Sequence, residues 1–233
     1  MRYDGGHKRS SLCHERLQGL FSLEGICPEV AIGMGVPRAP IRLVGDPSHP
    51  RAVRRDDPVD DVTDRLAEFA RATSRRLDGV SGYIFIERSP SCGLYGVEVA
   101  GDAAAPRTVG RGIYAAALTR ILPNLPVEES ARLEDDARRE AFVARVFVYA
   151  HWQRFVAQGT TAAGLVAFHS RYKNLLIAHG VPQYREAERL VANPSGDLAA
   201  TAEAYFTLLM TALATPPVIS VASVDSADAG RLP

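Results

Sequence analysis

The chain has 233 residues, 46% of them hydrophobic, with 27 lysines and arginines balanced by 27 aspartates and glutamates. That length fits one large domain or two small ones with an ordinary core, and zero net charge offers no global field toward nucleic acid or an acidic membrane. No apolar run approaches a membrane span, and the polar start Met1-Arg2-Tyr3-Asp4-Gly5-Gly6-His7-Lys8 lacks the apolar stretch of a secretory signal, so a cytoplasmic protein is expected.

In chain order, Asp4-Gly5-Gly6 is a turn signal with no strand before it, and Ser10 to Leu23 reads as a short helix carrying Leu12, Leu17 and Leu20. Ile26-Cys27-Pro28-Glu29-Val30-Ala31 follows. Proline removes a backbone donor, which puts Cys27 at the end of a strand rather than inside one. Gly33, Gly35, Pro37, Arg38 and Pro40 then give irregular backbone beside a cysteine and a carboxylate, a common setting for a site.

Residues 45 to 59, rich in Pro, Asp and Arg, read as a surface loop. From Asp60 to Leu77, Val62, Leu66, Phe69, Ala70, Thr73 and Leu77 recur at helical spacing, with Asp60 or Asp61 as cap. The apolar run Gly82-Tyr83-Ile84-Phe85-Ile86 reads as a buried strand that stops in Ser89-Pro90-Ser91-Cys92-Gly93. Loops at the carboxyl ends of strands in an open α/β sheet face the ligand crevice. Val97-Glu98-Val99 is a further short strand. Gly110-Arg111-Gly112 leads into a helix over 113–122, whose N-terminal N–H groups could meet an anion or a ligand oxygen.

The chemistry-bearing residues are few. The three cysteines, Cys13, Cys27 and Cys92, are odd in number, which argues against a disulfide framework, and their separations match no zinc-finger spacing. Beyond Glu128 the pattern is helical. Phe142, Val143, Val146, Phe147 and Ala150 mark one long helix, and Leu165, Phe168, Tyr172, Leu175 and Leu176 a second. Pro182 opens a third, and Asp197 caps a fourth running through Tyr205, Leu209 and Leu213. The tail from Thr215 has a disorder-like composition. His169 and Lys173 share a face of the second helix, with Tyr172 beside them and His179 rotated away.

RYDGGHK, ICPEVAIGMGVPRAP, DVT, IERSPSCG and GRGIYAAAL occur in that order, and with them residues 1–126 resemble the bacterial thiouracil desulfidase family. RLEDDARREAFVARVFVYAHWQ and LVAFHSRYKNLLIAHG are similar to the helical YbgA-like domain of unknown function often fused behind it. The resemblance implies a Rossmann-like α/β domain over 1–126, a partial all-α domain over 127–213 and a disordered tail over 214–233.

It further implies a 4Fe-4S cluster held by three cysteines, whose open iron takes sulfur from a thiolated pyrimidine, a small-molecule partner. Cys27 and Cys92 would be cluster ligands, Glu29 the proton donor or acceptor, and Ser89 the group that orients substrate or relays the proton. Ser91, Asp4, Lys8 and Arg38 would line the substrate pocket. The family's first cluster cysteine precedes the Arg-Tyr-Asp-Gly motif, on which this chain starts. That ligand and its strand are therefore expected to be missing, with Cys13 as the substitute. The helical domain is expected to be truncated at its end. Two alternatives stand beside the enzyme: a non-catalytic remnant or binding module with an incomplete cluster site, and a single-metal thiolate enzyme using all three cysteines with His14.

Overall fold

The structure is a computed structural model, and it describes residues 4, 6, 13–101, 108–193, 196–215 and 217. The expected tail over 214–233 lies outside these residues but for 214, 215 and 217. The chain divides into two compact units. One comprises Met1–Asp78, Tyr83–Pro123 and Val127–Glu134; the other comprises Gly79–Gly82, Asn124–Pro126 and Asp135–Pro233. An α/β unit and an all-α unit are what the sequence leads one to expect.

The α/β unit contains a mixed sheet in the order β2-β1-β4-β5, from β1 (Ile41–Val44), β2 (Arg51–Arg54), β4 (Val97–Ala100) and β5 (Thr108–Gly110). β1 runs parallel to β4, with Leu43 opposite Val99; the other two pairings are antiparallel. Alternation along β1 and β4 turns Ile41, Leu43, Val97 and Val99 inward, where they meet Ala52, Val62, Leu66 and Ile113. A second, two-stranded parallel sheet pairs β3 (Tyr83–Phe85) with β6 (Val127–Glu129). Helices α2 (Thr63–Ser74) and α3 (Ile113–Ile121) pack against each other.

Several local expectations are corrected. Residues 51–54 form an edge strand inside the expected surface loop. Arginines at both its ends hid the strand, as charge commonly does on a sheet edge. The expected helix over 10–23 is, among the described residues, a five-residue π-helical turn at Cys13–Leu17 followed by a turn at 18–20. Leu17 is buried, but Leu20 and Leu23 are exposed, so no continuous apolar face anchors a longer helix. Cys27 ends no strand; it is the N-cap of the four-residue helix α1 (Pro28–Ala31), whose first position takes the proline. Asp61 does not cap α2. Val62 holds that position, and Asp61 Oδ1 accepts the Thr63 N–H at 2.9 Å.

The helical unit has α4 (Asp136–Ala157), α5 (Ala162–His179), α6 (Val181–Ala192) and α7 (Leu198–Ala212). Asp135, Thr161 and Asp197 side chains accept N–H bonds at the starts of α4, α5 and α7, the positions where helix donors lack partners. The core is aromatic. Trp152 stacks on Phe206 with ring centroids 4.5 Å apart, and Phe168 meets Trp152 edge-on at 5.1 Å. His169 is buried between Tyr184, on which it stacks, and Tyr205. His179 Nδ1 donates to the Thr215 carbonyl at 2.8 Å.

Burial depresses the proton affinity of His151, His169 and His179 below the usual value near 6.5. Each binds a proton less readily when folded than when unfolded. Their contribution to stability is therefore full above pH 6.5 and is lost as the pH falls below it. The urea midpoint of the helical unit, read from Trp152, the chain's single tryptophan, is expected to fall between pH 7 and pH 5. A flat midpoint over that range contradicts this.

Candidate functional site

The segment after β3 turns sharply. Arg88 has a φ of 57°, the one positive value among the described non-glycine residues. The Gly93 N–H closes the following turn on the Ser89 carbonyl at 2.7 Å. A Cβ on Gly93 would meet Val97 Cγ2 at 2.3 Å and the Ser89 oxygen at 2.9 Å, so only glycine fits.

The start of α3 then docks on this loop. The N–H groups of Gly112, Ile113 and Ala115 donate to the carbonyls of Gly93, Pro90 and Ser91 at 2.8, 3.0 and 3.1 Å. These are donors that a helix start leaves open. The anion or ligand-oxygen site expected at Gly110-Arg111-Gly112 is therefore taken up by the cysteine loop itself. A Cβ on Gly112 would lie 2.6 Å from the Ser91 backbone, which explains the glycine.

Glu29, two residues beyond Cys27, reaches across 62 positions to this loop. Its Oε1 accepts the Ser91 hydroxyl at 2.7 Å, and its Oε2 accepts Arg38 Nε at 2.8 Å. The Arg38 side chain is only 4% exposed; it also donates to the Gly35 carbonyl and lies 3.7 Å from Cys27 Sγ. Ser91 Oγ is 3.0 Å from Ser89 Oγ, and Ser89 Oγ accepts the Cys92 N–H at 3.1 Å. A hydroxyl has one proton to give. The 2.7 Å carboxylate contact takes that of Ser91 in preference to Cys92 Sγ at 3.6 Å. Ser89 must then donate to Ser91, which orders the protons from Ser89 through Ser91 to Glu29.

Burial pushes the Cys92 thiol up to about 12; Glu29 and Cys27 also push it upward, and the Ser91 and Ser89 hydroxyls counter them. The structure thus brings together Cys27, Glu29, Arg38, Ser89, Ser91 and Cys92. Asp4 is exposed and accepts the Gly6 N–H. Lys8 and the Cys13 side chain lie outside the described residues. Arg38 also borders a cavity of ≈ 330 Å³ with Met34, Pro37, Arg54, Asp60 and Arg65.

Tyr83 and Tyr114 went unnoticed in the sequence because each reads as a core aromatic. Their hydroxyls are 3.2 Å apart, and Tyr114 is fully buried. Burial first, then Tyr114, moves the Tyr83 phenol well above its usual value of 10. Among the described residues no group of three His, Cys, Asp or Glu could hold a metal ion. No helix among them is long and apolar enough to cross a membrane.

The α/β unit thus gathers two thiols, a carboxylate and two serine hydroxyls, from α1 and its N-cap on one side and from the loop after β3 on the other. The model of the 2-thiouracil desulfurase family matches residues 1–130, and the chain belongs to that family. A solved structure described as a 4Fe-4S-dependent thiouracil desulfidase, TudS, is similar at 27% identity and a TM-score of 0.44, over 57% of this chain and 84% of that one. No curated protein matches the chain.

Gly112→Ala is expected to destabilise the α/β unit by ~1–3 kcal/mol, because its Cβ meets backbone that cannot swing aside. Gly25→Ala, with nothing within 4 Å, should stay within about 0.5 kcal/mol. Urea denaturation of the two variants checks the contrast; equal losses would refute the docking argument.

Proposed function

We propose that the site desulfurates a thiolated pyrimidine, thiouracil or its nucleotide, using a 4Fe-4S cluster, and releases a uracil-type product and sulfide. Family membership and the Cys27–Glu29–Ser91–Cys92 constellation support this reading. The observation that carries it is the Glu29–Ser91 hydrogen bond, which sets a carboxylate and a hydroxyl pair against two cysteines from distant segments.

The donors fit the cofactor. Thiolates are the usual ligands of iron–sulfur clusters, and the two sulfurs lie beside Arg38 and Ser91, which the same Glu29 carboxylate holds. These two would hold it, with the third protein ligand coming from outside the described residues, where the Cys13 side chain also lies. When bound, the cluster supplies a soft Lewis acid for a thiocarbonyl sulfur.

The chain's own groups manage the protons. Overall, water adds across the thiocarbonyl: a carbon–oxygen bond forms, the carbon–sulfur bond breaks, and oxygen, sulfur and two hydrogens balance as uracil-type carbonyl plus hydrogen sulfide, with no net redox change. Ser89 Oγ orients the water or passes its proton, and Ser91 hands a proton on to Glu29 Oε1. Arg38 holds the far oxygen of that carboxylate and so fixes the direction in which Glu29 faces. Helices α4 to α7, within the expected 127–213, are read as the YbgA-like helical domain on their motifs, with residues 127–134 belonging to the α/β unit.

The chain purified and reconstituted without oxygen should bind iron and release sulfide from thiouracil. Cys27→Ala and Cys92→Ala should each lose the iron. Glu29→Gln should keep it and lose ~100-fold or more in sulfide release, the scale of a general acid–base group. A folded, iron-free wild-type chain sinks the proposal; so does undiminished turnover by Glu29→Gln.

A further inference from the structure

The Cys92 loop is held by α3 on one side and by a buried carboxylate on the other. Glu129, the last residue of β6, is 4% exposed. Its Oε1 accepts the backbone N–H groups of Leu94 and Tyr95 at 2.8 and 3.1 Å, across 35 and 34 positions. β6 pairs with β3 in the register Phe85 to Glu129, so the strand that feeds the loop and the strand that carries the carboxylate belong to one sheet. The next residue strengthens the join: the Ser130 N–H donates to the Phe85 carbonyl and its hydroxyl to Glu87, both at 2.9 Å.

A buried carboxylate is costly without partners, and two N–H groups on one ionised oxygen make strong charge-assisted bonds. Leu94 is itself buried, so its N–H would be left without a partner if Glu129 were truncated. No strand covers residues 93–96. The carboxylate stands in for the strand partner that this backbone lacks.

We infer that Glu129 is a positioning residue for Cys92: it clamps the backbone just past the cysteine against the N-terminus of α3, keeping Cys92 beside Cys27 and Glu29 with no metal bound. Only the consequence for iron uptake rests on the cluster reading above.

The test uses the full chain without iron. Iodoacetamide labelling of Cys92, resolved by peptide mass spectrometry, is compared with amide exchange at Leu94 and Tyr95. Glu129→Ala should label Cys92 about tenfold faster, the equivalent of ~1.4 kcal/mol of local opening, and should expose both amides. Glu129→Gln keeps an oxygen for the same two donors and should label within about twofold of the wild type. Glu129→Asp keeps the charge but withdraws it by one methylene, and should label faster than Glu129→Gln. If Glu129→Ala does not fold, the order of the Gln and Asp variants decides. Wild-type labelling in Glu129→Ala, or Glu129→Asp labelling no faster than Glu129→Gln, overturns the inference. On reconstitution Glu129→Gln should take up iron like the wild type. A wild-type chain that takes up none removes the cluster reading but leaves the labelling order to judge the clamp.

Discussion

Two stretches of chain 62 residues apart face each other because one carboxylate satisfies donors from both. Glu29 takes the Ser91 hydroxyl on one oxygen and the Arg38 guanidinium on the other. Arg38 is almost completely covered, and an uncompensated guanidinium there would cost several kcal/mol. The pair therefore does more than decorate a surface. A four-residue helix cannot hold itself together. The Glu29 tie fixes α1 against the loop, and Cys27, as its N-cap, inherits that position. Remove the carboxylate and a buried cation, a buried hydroxyl and a cysteine all lose their reference point.

The sequence made the chemistry legible and much of the geometry illegible. Cys27, Glu29, Ser89, Ser91 and Cys92 stand out because their types and their loop settings are unusual, and the structure gathers them. The four long helices were readable from the spacing of Phe142, Phe168 and Leu209 and from Asp197 as a cap, since 3.6-residue periodicity survives over many turns. The equally short β3 and β4 were readable from their apolar residues, whereas charge hides β2, with Arg51 and Arg54 at its ends, and β6, with Glu128 and Glu129. Gly112 looked like a ligand-binding turn because free helix N–H groups have no mark in sequence that says who uses them; here the neighbouring loop does. Glu129 carries no mark in the sequence; it is buried at the end of a strand that pairs in parallel with β3.

The tyrosine pair belongs to the same lesson. Tyr83 and Tyr114 come from a strand and a helix 31 residues apart, each plausible as filler among Phe69 and Phe85. Their hydroxyls meet at 3.2 Å inside the α/β unit. Burial of a hydroxyl is tolerated when it finds a partner, so the two phenols are each other's solution.

The exchange between the cysteine loop and α3 has a consequence for the cost of loading the site. Since the helix takes Pro90, Ser91 and Gly93 carbonyls as its missing partners, neither piece is complete alone, and each orders the other as the chain folds. Conformational entropy around Cys92 is then lost during folding rather than at the moment a ligand arrives. Small metal domains whose thiols are disordered until the ion binds spend their binding energy on folding. This loop is already set, so affinity there is governed by the donors themselves and by whatever must be displaced, with little ordering of backbone left to do.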